Sequence, residues 1–281
     1  MAQPEKNRET ELTGAADFDL TATFECGQCF RWNADENGVY TGVAMNRAVR
    51  VRRDGARVFI SGTAADFERV WRPYFDLELD YAEIRSRLQI NGHMARAARF
   101  GAGLRILRQD RWEALCSFIL SQCNNIPRIK RIIEALCREF GDPILFDGDT
   151  YYGFPPPERL AGLSETDLAP LRAGYRAKYI LSAAEAVASG ALDLAGLAQK
   201  SPEEALTALK RLDGVGDKVA SCAVLFGLHM LDAFPIDTWM KKAIARHYGD
   251  GFDPKIFSPY AGLAQQYMFY YERSGRKQDE C

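Results

Sequence analysis

Residues 208–227 read ALKRLDGVGDKVASCAVLFG, and this stretch decides the architecture of the C-terminal half. One helical run ends near Leu212, Gly214-Val215-Gly216 makes a hairpin, and a second helix opens by Asp217. Two glycines around one apolar residue allow backbone dihedrals that other residues resist. They also let main-chain N–H groups meet an external anion at the N-terminus of the next helix. A DNA phosphate, gripped without reading sequence, fits that description. A plain helix–helix turn fits it too, and the glycine pattern alone does not separate the two.

Lys218 stands in the first turn of the second helix, and FPIDTW (234–239) follows it. Asp237 there is placed to N-cap the run TWMKKAIARHY. If the helix from Asp217 returns its chain toward the hairpin, amine and carboxylate share one cleft. Such a pair suits cleavage of an N-glycosidic bond. Positive charge builds on the sugar and a carboxylate stabilises it, while a neutral amine can attack C1′ and form an iminium. An ordinary lysine is mostly charged at neutral pH, so the site has to favour the neutral amine. A helix N-terminus and partial burial act in that direction and a nearby aspartate acts against it. Taken singly, Lys218 also reads as a phosphate contact and Asp237 as a plain cap.

Working outward, WEALCSFILS, IPRIKRIIEALCREF, RAKYILSAAEAVAS, PEEALTALKRL, DTWMKKAIARHY and SPYAGLAQQYMFYYERS carry helical periodicity, so the chain from about Arg111 onward reads as helical. Gly141, Gly190, Gly214 and Gly227 fall where left-handed C-cap residues are wanted, and Pro127 and Pro202 near helix starts. Before them, CFRWN, VYTGVA, RAVRVRR and ARVFISG are short strand-like runs with turns such as Asp54-Gly55 between them. Connections this short imply an antiparallel meander. Helical periodicity begins at 65–88. The expectation is an α+β chain: an N-terminal antiparallel β-sheet domain with flanking helices over 1–105, then an all-α helix-hairpin-helix domain over 106–281.

With 281 residues, 47% hydrophobic and 26% charged, the composition is that of an ordinary globular protein. A net charge of −2 argues against a uniformly basic nucleic-acid binder. Any DNA grip then falls to local clusters: Arg96, Arg99, Arg105, Arg108 and Arg111; Arg128, Lys130 and Arg131; Arg172, Arg176 and Lys178. The polar opening MAQPEKNRETELTG has no apolar core of a secretory signal, and Val219–Leu231 is too short to span a bilayer. Seven cysteines without such a signal imply free thiols in a reducing cytoplasm, nucleoid-associated if the cell is prokaryotic. Cys26 and Cys29 have zinc spacing but no second pair, and only Cys281 lies beyond Cys222, so no iron–sulfur loop is expected. The chemistry requires neither metal nor cofactor.

LDGVGDK followed by PID resembles the signature of the helix-hairpin-helix DNA glycosylase superfamily. CGQCFRW, YFDLELDY, SQCNNIPRIK, GYRAKY, LDGVGDKVASC, FPIDTW and SPYAGLAQ, in that order from about Gly27 to Phe269, resemble its 8-oxoguanine DNA glycosylase/AP lyase branch. The resemblance implies that Lys218 is the Schiff-base nucleophile and Asp237 its partner. It implies that the Gly27 carbonyl reads the N7–H of 8-oxoguanine, a donor where guanine has an acceptor. Cys222 and Phe269 would sandwich the flipped base, with Gln265 on its Watson–Crick edge. On spacing alone Cys222 and Phe269 are core residues, whereas Gln265 is polar on an apolar helix face. Tyr175 would fill the vacated stack, Arg176 and Arg128 would donate to the orphaned cytosine, and Asn125, Gly214, Val215, Gly216 and Trp239 would contact DNA. The bland reading of both arginines is a solvated helix face.

Two departures stand out. Cys123 occupies the position where better-known members place an asparagine against the orphaned cytosine, and Trp239 stands where some have histidine. The first implies relaxed opposite-base specificity. The partner expected is duplex DNA containing 8-oxoguanine, with no membrane, and a monomeric enzyme. Alternatives are a glycosylase for another alkylated or oxidised base, a non-catalytic DNA-binding module using the hairpin as a phosphate grip, and an interaction protein acting through its β-domain.

Overall fold

The computed structural model describes residues 9–275, and Cys281 with the first eight residues lies outside them. Five strands, β1 (Glu9–Glu11), β2 (Trp32–Ala34), β3 (Tyr40–Ala44), β4 (Arg47–Asp54) and β5 (Arg57–Ser61), form one antiparallel sheet in the order β1-β5-β4-β3-β2. The meander expected from the short turns is therefore β2 to β5. β1 adds to its far edge by pairing Thr10 with Ile60. Alternation along β4 and β5 buries Val49, Val51, Val58 and Ile60 on one face, as the side-chain period of two requires. That face packs on an aromatic core in which Phe24 stacks on Trp32 with centroids 4.1 Å apart, beside Trp71, Tyr74 and Phe75.

The remaining elements are mostly helical. Those that position the site are α1 (Leu20–Phe24), α2 (Gly92–Phe100), α3 (Arg111–Leu120), α4 (Ile126–Phe140), α5 (Arg176–Ala188), α6 (Pro202–Leu209), α7 (Asp217–Cys222), α8 (Thr238–His247) and α9 (Ala261–Tyr270). α7 continues to Gly227 in wider turns, in which the Leu228 N–H donates to the Ala223 carbonyl. Side-chain caps start several of these helices: Asp110, Asn125 and Ser201 accept from the third residue of α3, α4 and α6, and Ser201 with Glu204 completes a capping box. Pro127 and Pro202 stand in the first turns of their helices, as expected.

Three expectations need correction. The C-terminal half is not all helix: β6 (Pro143–Phe146) and β7 (Asp149–Tyr152) form a hairpin around Asp147-Gly148, both left-handed. The hairpin packs on β4, where Arg50 pairs with Asp147 and lies over Phe146. Of the four helix-end glycines, Gly190 and Gly214 are left-handed, whereas Gly141 is extended and Gly227 lies within the wide turns after α7. The arginines of 94–111 do not all serve one basic cluster able to grip DNA. Arg105 is buried, donating to the carbonyls of Asp17 and Asp76. Tyr81, Ile84, Met94 and Ala97, though early in sequence, join the helical core with Leu115 and Ile119.

Candidate active site

Lys218 and Cys222 are four residues apart on α7, and Gln265 and Phe269 four apart on α9, so each pair lies on one helix face. The two faces meet across a small cavity. Its lining includes Gly27, Phe118, Lys218, Cys222, Asp237, Gln265 and Phe269, which unites every residue expected to carry the chemistry or hold the base. It joins a groove of about 770 Å³ lined by Cys123, Asn124, Asn125, Thr238, Trp239 and Lys241 together with Lys218 and Asp237.

The hairpin that delivers Lys218 turns at Gly214, whose φ of +73° and close packing on the Tyr179 ring exclude a side chain. Gly216 is not left-handed, contrary to the reading that both glycines serve unusual dihedrals; it caps α7 with φ −90° and faces open space. Val215 is buried beneath the turn. Lys218 Nζ donates to Ser121 Oγ at 2.9 Å, and Ser121 Oγ donates in turn to the Phe118 carbonyl at 2.8 Å. The same Nζ lies 5.5 Å from the Phe118 ring centroid. Asp237 does cap α8: one oxygen accepts from the Met240 N–H at 2.9 Å. It also lines the cavity that Lys218 lines, so serving as the cap leaves it within the site.

Cys222 is buried, and burial, reinforced by Asp237 and opposed by Lys218, pushes its thiol up to about 11. At neutral pH it is therefore an uncharged, polarisable wall rather than a nucleophile. Gln265 is 4% exposed, and its side-chain oxygen has no hydrogen-bond partner among the described residues. A buried acceptor left unpaired is costly, so its presence calls for a donor arriving with a ligand. Gly27, at φ +91°, is held from both sides by glutamines that sequence reasoning did not single out. Gln266 Nε2 donates to the Cys26 carbonyl at 2.9 Å. Gln28, fully buried, donates to the carbonyls of Thr23 and Arg105 and accepts from the Leu107 N–H. A glutamine among apolar neighbours was the available signal for both. Ser121 carried none. Cys26 and Cys29 are buried thiols pointing at the carbonyls of Thr23 and Phe24.

Of the residues expected to meet DNA, Asn125 and Trp239 line the rim of the groove beside Cys123. Cys123 is exposed in a left-handed conformation (φ +46°), and Tyr175 is 47% exposed. Asn125 caps α4 through the Arg128 N–H, and Trp239 projects from α8, 44% exposed. Arg128 Nη2 donates to the Arg172 carbonyl at 3.1 Å. Arg176 is neither a solvated residue nor a free donor. It is 3% exposed, with its guanidinium 4.5 Å from the Tyr175 ring and donating to the carbonyls of Gln122, Cys123 and Ala173. It fixes the Cys123 loop beneath Tyr175.

Two family models cover this chain in succession. The 8-oxoguanine DNA glycosylase N-terminal domain matches residues 12–115, and the HhH-GPD superfamily base excision DNA repair protein matches 116–255. The N-glycosylase/DNA lyase OGG1 of Arabidopsis thaliana is 33% identical over 98% of this chain and 81% of its own. The chain belongs to the 8-oxoguanine DNA glycosylase family. It is thus a DNA glycosylase/lyase of base-excision repair. MBOgg1, solved with a low-affinity DNA ligand, superimposes with TM-score 0.91 at 43% identity, covering 96% of this chain and 97% of that one. The 8-oxoguanine glycosylase/lyase of Clostridium acetobutylicum, solved with duplex DNA carrying cytosine opposite 8-oxoguanine, gives TM-score 0.88 at 37% identity over 96% and 99%. No helix among the described residues is long and apolar enough to cross a membrane.

Proposed function

We propose that this chain excises 8-oxoguanine from duplex DNA and then cuts the strand, with Lys218 as nucleophile. One observation carries the base assignment: Gln265 holds an unpaired, buried acceptor inside the cavity that also contains Lys218, Cys222 and Phe269. A guanine-type Watson–Crick edge brings N–H donors to such an acceptor, and in this reading the Gly27 carbonyl accepts from N7–H. The base has to leave the stack to reach them.

In the chemistry, the neutral Lys218 amine forms a bond to C1′ while the C1′–N9 pair departs with the base, which takes up a proton. Loss of the amine proton and opening of the sugar ring give the iminium. Removal of a C2′ proton then expels the 3′ phosphate and breaks the strand. Asp237 stabilises the positive charge on the sugar as the glycosidic bond lengthens. Ser121 holds the amine before attack. The hairpin of Gly214, Val215 and Gly216 grips a phosphate, while Asn125, Arg128, Tyr175 and Trp239 meet the DNA around the lesion. Arg176 acts through the loop it fixes. Cys123, with one weak donor where an amide would offer two, leaves the opposite base loosely read. The enzyme works as a monomer.

The test compares release of 8-oxoguanine, guanine and 3-methyladenine from otherwise identical duplexes by the wild type and Gln265→Ala. The expected outcome is release of 8-oxoguanine alone and a fall of about tenfold or more in the variant, the cost of one lost buried hydrogen bond. Preferential release of 3-methyladenine would transfer the chain to the alkylated-base reading.

A further inference from the structure

Arg273 follows α9 and lines the groove with Gly27, Lys218, Asp237 and Phe269. One end of its guanidinium is anchored, Nη2 donating to the Glu25 carbonyl. Its plane lies over Phe269, 5.3 Å from the ring centroid. The other end, Nη1, is sealed from solvent and has no hydrogen-bond partner among the described residues. This nitrogen stands 3.1 Å from where a Cβ on Gly27 would be, with Phe269 Cε1 at 3.3 Å from the same point. Gly27 is thus glycine for space as well as for its φ, and the space it leaves faces a cationic donor.

A buried guanidinium nitrogen without an acceptor is as anomalous as the unpaired Gln265 oxygen, and it borders the groove that shares Gly27, Lys218 and Phe269 with the Gln265 cavity. We propose that Arg273 is a further base-recognition residue, its Nη1 donating to a carbonyl oxygen that flanks N7–H on the Hoogsteen edge of the flipped base. The inference rests on 8-oxoguanine being the substrate. That edge presents acceptor, donor, acceptor as O6, N7–H and O8. A carbonyl at Gly27 beside a donor at Arg273 complements two neighbouring members of it. Charge assistance strengthens the second bond, and the anchored Nη2 pre-orients it.

The experiment measures single-turnover excision of 8-oxoguanine and of 8-oxoadenine, and strand cutting at a preformed abasic site, for the wild type, Arg273→Met and Arg273→Lys. 8-Oxoadenine keeps N7–H and O8 but carries an amino group in place of O6. Methionine keeps the stem against Phe269, and lysine keeps the charge with a single donor point, which cannot span the Glu25 carbonyl and the base together. The proposal expects both variants to lose about tenfold or more in 8-oxoguanine excision, well beyond any change in cutting at the abasic site, where there is no base to hold. An equal loss on 8-oxoadenine assigns the bond to O8, and a loss confined to 8-oxoguanine assigns it to O6. Full rescue by lysine would reduce Arg273 to a general cation. Equal falls on lesion and abasic DNA would reduce it to scaffolding, and an effect below twofold would remove it from recognition. A wild type that does not release 8-oxoguanine defeats the substrate reading itself, whereas an active wild type with an indifferent Arg273→Met defeats only this inference.

Discussion

The cavity around Lys218 and the exposed rim of the groove beside it are built on different principles. In the cavity, Gly27, Cys222 and Gln265 are set by interior contacts, and the neighbours of Gly27 are clamped by Gln28 and Gln266. On the rim, the groups offered to DNA are exposed: Cys123 is a free thiol and Tyr175 and Trp239 stand out from the surface. The interior work there is done by Arg176, which binds the loop carbonyls from below. A cavity with unpaired polar atoms in fixed places discriminates strongly, because a wrong ligand leaves them unpaired. An exposed rim with a thiol at position 123, a weak donor, discriminates little there. The proposed function takes strict reading of the lesion and loose reading of its partner from this difference.

The largest effect that tests the contrast belongs to the cavity. Asp237→Asn keeps the cap on α8, since asparagine caps as well as aspartate, but removes the charge. Excision is expected to fall by about 10²–10³ with thermal stability nearly unchanged. Equal activity in the variant would return Asp237 to the role of a cap.

On the rim, Arg176→Ala should act first on folding. It strands carbonyls that a charged donor now satisfies, and about 1.5–3 kcal/mol of stability should be lost in denaturant titration. Unchanged stability with weakened DNA binding would instead make Arg176 a direct contact. The two thiols make a third comparison. Cys123 should react with iodoacetamide in the native protein, while Cys222, buried and with its thiol raised to about 11, should stay protected near pH 8. Its thiolate fraction grows about tenfold per pH unit on the way to 11. Peptide mapping of the labelled protein reads both sites, and rapid labelling of Cys222 would contradict its burial in the cavity wall.

The smallest effect is the most specific. Cys123→Asn places an amide at a left-handed position that asparagine tolerates well. The ratio of excision opposite cytosine to excision opposite adenine should rise by a few-fold up to about tenfold, the scale of one added hydrogen bond. No change in that ratio would detach opposite-base choice from this residue.

How much could be read without coordinates follows the same division. The helix openings marked by Pro127, Pro202 and Asp237 and the strands of the meander were legible because helix-start prolines, a cap, turn residues and periodicity are local signals. The β6–β7 hairpin carried one too, Asp147-Gly148, but a helical neighbourhood on both sides overrode it. The burial of Arg105 and Arg176 was not legible because a guanidinium buried on main-chain carbonyls looks in sequence like any surface arginine. Lys218 and Asp237 were brought together on the assumption that the chain doubles back after α7, and both line the cavity. The unpaired atoms of Gln265 and Arg273 belong to packing between distant segments, which no local pattern encodes.

The central claim is that Lys218 attacks the sugar of a lesion held in this cavity. Borohydride trapping on a duplex with one 8-oxoguanine, comparing the wild type with Lys218→Gln, tests it most directly. The account expects a covalent protein–DNA adduct with the wild type and none with the variant. An adduct that persists in Lys218→Gln would place the nucleophile elsewhere and contradict the account.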